Sequence, residues 1–244
     1  MTMRICILET DILRPQLIEQ YHGYGRMFRQ LFEKQSIPAQ FDVFNVVEGC
    51  YPDAAQGYDA YLITGSKADS FGTDPWIQTL REFLLERYDN GARLIGSCFG
   101  HQLLALLLGG KTERAAQGWG IGVNRYALLE QPEWMSPSLE HLDMLVFHQD
   151  QVTELPVGAT LLASSPFCPN AAYRIGDQVL CFQAHPEFVD DYELGLLNLR
   201  REFLGEARYQ QAVSSMSLQH QGVAVAEWML RFASQARAQN SLAA

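Results

Sequence analysis

The sequence holds no apolar run approaching the roughly 20 residues of a membrane-spanning helix, which argues against a membrane partner. Positive charge is scarce too. Lys and Arg number 18 against 28 Asp and Glu, for a formal net charge of -10. Without a Lys/Arg cluster to displace the counterions of a phosphate backbone, a nucleic-acid partner is excluded. The cysteines, Cys6, Cys50, Cys98, Cys168 and Cys181, are odd in number and show no CxxC spacing. Neither a disulfide framework nor a zinc or other metal site is supported, and free thiols in a reducing cytoplasm are the simpler reading. The first residues, Met1 to Leu8, are too short in apolar side chains for a signal peptide and run directly into a strand-like stretch. No repeat, low-complexity segment or linker-like change of composition breaks the chain, so all 244 residues are expected to form one domain.

What is present is a composition 48% hydrophobic and 19% charged, ordinary for a globular α/β protein. Arg4–Glu9, Phe41–Val46 and Tyr58–Ser66 read as strands, the first buried on both faces. Residues 10 to 24 read as a loop with at most a turn of helix. Tyr24–Gln35 places Met27, Phe28, Leu31 and Phe32 on one helical face. Trp76–Tyr88 is a second helix, with Pro75 at the first-turn position proline favours. Alternating strands and helices predict a mostly parallel central sheet flanked by helices, with ligands bound outside the carboxyl ends of its strands. After Lys111 the pieces shorten: 120–129, 144–147, 159–164, 171–175 and 178–184, the last two joined by a turn at Gly176-Asp177. They read as an antiparallel extension of the sheet. From about residue 190 to 238, Leu194, Leu197 and Leu199, then Val223 to Phe232, imply one or two closing helices. The last dozen residues read as frayed.

The stretch around which this pattern turns is Arg93-Leu94-Ile95-Gly96-Ser97-Cys98-Phe99-Gly100-His101-Gln102-Leu103-Leu104. An apolar strand ends in a tight turn and a helix starts at once, with a cysteine at the corner. Gly96 and Gly100 are what a sharp strand-to-helix elbow needs, because a side chain two residues to either side of Cys98 would strike neighbouring backbone. A buried free cysteine is most often inert packing. At the first turn of a helix, however, unpaired N–H groups and the helix dipole favour an anion, here a nucleophilic thiolate. The N–H of Phe99 would then point at an oxygen bearing negative charge in a tetrahedral intermediate.

A thiolate nucleophile needs a basic partner, and that partner an orienting group. His185 follows the apolar strand ending at Ala184 and precedes Pro186-Glu187. Proline keeps its predecessor extended, and residues i and i+2 of an extended segment face the same way. Glu187 can thus reach one imidazole nitrogen while the other faces the thiol. His148, with Asp150 as its acid, is the competing base, although the 148–150 loop reads better as a substrate contact. His101 stays unassigned. Trp119 and the aromatic 21–28 stretch read as core rather than pocket.

Gly96-Ser97-Cys98-Phe99-Gly100-His101-Gln102 together with Gln183-Ala184-His185-Pro186-Glu187 resembles the class I (triad) glutamine amidotransferases over roughly residues 4 to 190. The resemblance implies a flavodoxin-like α/β fold and hydrolysis of a γ-glutamyl amide through a γ-glutamyl thioester, with no cofactor. It implies Cys98 as nucleophile, His185 as acid and base, and Glu187 as the group orienting it. Gly65, in Thr64-Gly65-Ser66, corresponds to the family's Gly-Gly-Pro loop and implies a second oxyanion donor beside Phe99. Gln102 matches the glutamine that contacts the substrate. His148, Gln149 and Asp150 match the loop holding its amino and carboxylate ends. Two departures fall in the pocket: Ser66 replaces the proline, and Gln149 the commoner glycine.

About fifty residues follow Glu187, too few for a synthase domain. The chain therefore resembles stand-alone members, including those similar to γ-glutamyl peptidases. Three further readings stay open. It could be a glutaminase subunit supplying ammonia to a separate synthase, a thiol hydrolase indifferent to the α-amino and α-carboxylate groups, or a non-catalytic binding or regulatory protein on the same fold.

Overall fold

The structure, a computed structural model, describes residues 2–53 and 55–235. Its strands in chain order are β1 (Met3–Glu9), β2 (Ala39–Asn45), β3 (Ala60–Ile63), β4 (Arg93–Ser97), β5 (Lys111–Arg114), β6 (Gly120–Leu128), β7 (His141–His148), β8 (Asp150–Glu154), β9 (Ala159–Ser164), β10 (Ala172–Ile175) and β11 (Val179–Phe182). The helices are α1 (Pro15–Tyr21), α2 (Tyr24–Phe32), α3 (Pro75–Asp89), α4 (Phe99–Leu107), α5 (Asp190–Leu204), α6 (Glu206–Ser215) and α7 (Gly222–Ser234).

Nine strands form one sheet in the order β2-β1-β3-β4-β11-β10-β9-β6-β7. From β2 to β11 every pairing is parallel, and from β11 to β7 every pairing is antiparallel. The apolar runs of β1, β3, β4 and β11 follow from burial on both faces. Alternation at period two sends their side chains to opposite layers. Ile5, Ile7, Leu62, Ile95, Leu180 and Phe182 pack with Phe28 and Phe32 of α2 and Trp228 and Phe232 of α7. Cys6, Leu8, Tyr61, Ile63, Leu94 and Cys181 pack on the other side with Ile77 and Leu80 of α3 and Leu103 and Leu104 of α4. The outer edge of β7 is covered at Asp143: Gln221 accepts from the Asp143 N–H through its side chain (2.7 Å) and donates its own N–H to the Asp143 carbonyl (2.8 Å).

The mostly parallel sheet with its antiparallel extension is the expected architecture. Some details differ. Residues 15–21 form two turns of helix, started by Pro15 at a first-turn position. β5 and β8 pair as a small separate ribbon, absent from the sequence reading because Lys-Thr-Glu-Arg has no apolar alternation. Among the described residues three helices, not one or two, close the chain. Within α5 the buried face is Tyr192, Glu193, Leu196 and Leu197, so Leu194 and Leu199 point outward. The frayed reading of the chain end, and residues 236–238 of the C-terminal extension, lie outside the described residues.

Candidate active site

The chain passes from β4 into α4 through Cys98, whose φ of 49° and ψ of -99° lie outside the ordinary regions. Such a conformation costs on the order of 1–3 kcal/mol and persists only where its surroundings enforce it. The enforcement is visible in the backbone. A Cβ on Gly96 would lie 2.6 Å from the carbonyl carbon of Gly100, and one on Gly100 would run into the Ile63 carbonyl oxygen. Cys98 donates its N–H to the Phe182 carbonyl (2.9 Å), and Gly100 donates to that of Thr64 (3.2 Å). The corner is thereby tied to the ends of the two strands flanking β4. Phe99 opens α4, so its N–H is among the donors a helix cannot satisfy internally.

His185 leaves the end of β11, the other strand pairing with β4 besides β3. Its N–H donates to the Leu145 carbonyl (3.0 Å), and the Ser97 hydroxyl donates to the carbonyl of Ala184 just before it (3.0 Å). The ring stacks on Phe188, with centroids 3.9 Å apart and planes 16° from parallel. Nδ1 lies 2.8 Å from Glu187 Oε1, and the side chains of both residues are almost fully buried. Cys98 and the His185 ring line the same pocket, and both lie against Gly65. Burial alone would depress the imidazole, but the negative charges of Cys98 and Glu187 outweigh it and push His185 up to about 10. The i, i+2 expectation for His185 and Glu187 is the arrangement found.

Gly65 comes to the same place from the loop after β3. A Cβ there would lie 2.5 Å from His185 Cε1 and 3.6 Å from the Cys98 Cβ. The Thr10 and Thr64 hydroxyls converge on its carbonyl oxygen at 2.8 and 3.2 Å, fixing the peptide's orientation. One pocket of about 310 Å³ then opens over Cys98 and His185, and Gln102, His148, Gln149 and Asp150 also line it. The Gln102 amide donates to the Asp150 carbonyl (2.8 Å) and to Gln183 Oε1 (3.2 Å), while Gln183 Nε2 approaches the Cys98 sulfur at 3.7 Å.

His148 does not take the competing arrangement. Its Nδ1 meets the main-chain oxygen of Asp150 at 3.1 Å, whereas the Asp150 carboxylate faces Arg114 Nε at 3.0 Å. Burial pushes His148 down to about 4, so the ring is neutral. His101 is buried against Tyr173 and is pushed down to about 3 by the same cause. It is a core residue. Trp119 and Tyr24, read as core from sequence, do line the pocket. Asp11, Lys67, Arg14, Arg114, Arg200 and Phe203 also line it without having been singled out. Lys67 alone carried a signal, two residues after Gly65. Among the described residues no group of His, Cys, Asp and Glu side chains is arranged to hold a metal ion, and no helix is long and apolar enough to cross a membrane.

A cysteine-bearing elbow at the carboxyl ends of the parallel strands, with a buried imidazole lining the same pocket, sits on an α/β fold. The family model described as glutamine amidotransferase class-I matches residues 20–196, and the chain belongs to that family. It is 32% identical to gamma-glutamyl peptidase 3 of Arabidopsis thaliana, over 77% of this chain and 81% of that protein. Gamma-glutamyl peptidase 4 of the same plant is 34% identical over 70% of each. Among solved structures, a glutamine amidotransferase from Thermotoga maritima superposes with a TM-score of 0.78, covering 96% of this chain and 100% of that one. At 16% identity the last likeness concerns the fold alone.

Proposed function

We propose that this chain hydrolyses γ-glutamyl amides in the reducing cytoplasm, and that Cys98, His185 and Glu187 carry the reaction. The observation behind the proposal is the elbow cysteine sharing one pocket with a buried imidazole whose Nδ1 is held by Glu187 at 2.8 Å. The relatives named gamma-glutamyl peptidases support the substrate class.

The chemistry uses protein groups throughout. Cys98 Sγ, its proton held by His185, attacks the γ-carbonyl carbon. The developing oxyanion lies between the N–H groups of Gly65 and Phe99, donors fixed before the charge forms. As the tetrahedral intermediate collapses, the C–N bond breaks and His185 gives its proton to the departing amine, leaving a γ-glutamyl thioester. Water then attacks the thioester with His185 accepting its proton, and collapse releases glutamate and regenerates Cys98. Glu187 keeps the ring in one tautomer and stabilises its charged form. Gln102 and the His148-Gln149-Asp150 segment hold the amino and carboxylate ends of the γ-glutamyl group. The neutral state of His148 suits that role, since an uncharged ring offers a neutral contact.

The test is release of glutamate from glutamine and from a panel of γ-glutamyl dipeptides, for wild type and Cys98→Ala. The expected result is turnover of a dipeptide that falls at least about 10³-fold in the variant, with the γ-glutamyl mass trapped on wild type. Full turnover by Cys98→Ala would overturn the assignment. Weak turnover of every substrate, rising when a separate synthase is added, would make the chain an ammonia donor instead.

A further inference from the structure

The pocket's lining is of two kinds. Near Cys98 its polar groups are paired: Gln102 is held by Asp150 and Gln183, Arg114 by Asp150 and Asp69, and Lys67 by Asp11 at 2.6 Å. Another part of its wall includes Leu13, Arg14, Trp119, Leu196, Arg200 and Phe203. There the Arg200 guanidinium lies 4.5 Å from the Phe203 ring centre and 5.3 Å from that of Trp119, and the two rings meet edge to face at 6.0 Å. Arg14 and Arg200 are both half-buried. Among the described residues no carboxylate forms an ion pair with either, and Arg200 Nε is buried with no acceptor. Burial, and then the neighbouring charge of Arg14, both push Arg200 down. Two cations gathered at one wall, in a chain of net charge -10, form a local surplus with an unmet demand for an anion.

We propose that this wall is the subsite for the amine side of a γ-glutamyl peptide, where Arg200 and Arg14 receive the peptide's C-terminal carboxylate and the Trp119–Phe203 pair holds an apolar side chain. The proposal rests on the γ-glutamyl hydrolase reading and narrows its substrate. Glutamine has only ammonia as its leaving group and places nothing against this wall. A γ-glutamyl dipeptide extends from the carbonyl at Cys98 across the pocket, and its carboxylate supplies the missing acceptor. A planar guanidinium stacked on aromatic rings is already oriented to meet it with two parallel N–H groups.

The test separates binding from chemistry by using Cys98→Ala, which binds without turnover. Calorimetry compares γ-glutamyl-phenylalanine with its C-terminal amide, which lacks only the negative charge. The acid should bind about tenfold more tightly than the amide, and Arg200→Gln in the same background should bring that ratio close to one. Binding of the amide reports whether the Arg200 variant is folded, and Arg14→Gln gives a second, smaller reduction of the ratio. Equal affinity for acid and amide, or an equal loss of both on substituting Arg200 and Arg14, would overturn the subsite. Discrimination in binding, combined with no glutamate release by wild type, would leave the subsite standing and overturn the hydrolase reading.

Discussion

The two halves of the sheet position their groups by different physics. In the parallel half Cys98 is set by crowding of backbone on backbone, at Gly96 and Gly100, with no charge involved in the placement. The antiparallel half relies on buried polar groups kept neutral. His148 at the end of β7 is pushed down to about 4. Glu193 of α5 accepts from the Gly122 N–H of β6 at 2.9 Å and is pushed up to about 8 by burial. A steric device tolerates no added methyl group and ignores pH. An electrostatic one accepts an isostere and drifts with pH. β11 is the seam between the halves, parallel to β4 and antiparallel to β10, and His185 at its end combines both devices: stacked on Phe188 and charged against Glu187.

The largest effect should come at that seam. Glu187→Gln keeps the shape of the side chain and removes its charge, and kcat/KM for a γ-glutamyl dipeptide should fall on the order of 10³-fold. Unchanged activity would mean that packing alone holds the imidazole, as it holds the elbow. Next in size is Gly100→Ala, whose new Cβ must displace the Ile63 backbone. Urea unfolding should show a loss of about 3 kcal/mol, equal at pH 5 and pH 8. A loss confined to one pH would break the distinction between the halves.

Glu193→Gln should give the smallest and most conditional effect. A carboxyl raised in the folded state from its ordinary 4.5 to about 8 binds a proton that the unfolded chain has released. Its contribution is therefore complete below pH 4.5 and is lost as pH rises through 8. Glutamine cannot titrate. Relative to wild type the variant should gain about 2 kcal/mol between pH 5 and pH 6.5, read from paired urea melts. A constant difference would show that Glu193 is ionised throughout.

The contrast also explains what the sequence made legible. Crowding writes itself as glycine at fixed spacing, and a local i, i+2 pair needs only a proline, so Cys98, His185 and Glu187 could be brought together on paper. The parallel strands were equally readable, because burial on both faces leaves continuous apolar runs such as Ile5 to Leu8. Groups that meet only through tertiary packing left no such mark. Arg14 sits on a connection after β1 and Arg200 on α5, and neither segment names the other. On α5 the leucines do not mark the inner face, since Leu194 and Leu199 are exposed while Glu193, a residue type that reads as surface, is buried. β5 is held by its partner β8 rather than by any pattern of its own.

The covering of β7 has a consequence for self-association. An open sheet edge is a template on which another chain can add a strand. On β7 the outward-facing groups of Asp143 are taken by Gln221, and the Leu145 carbonyl by the N–H of His185 itself. The segment that carries the imidazole is thus also a guard on the sheet's last strand. Loosening it would free the Leu145 carbonyl to a strand of another chain, so the placing of the imidazole and the guarding of this edge fall to the same residue.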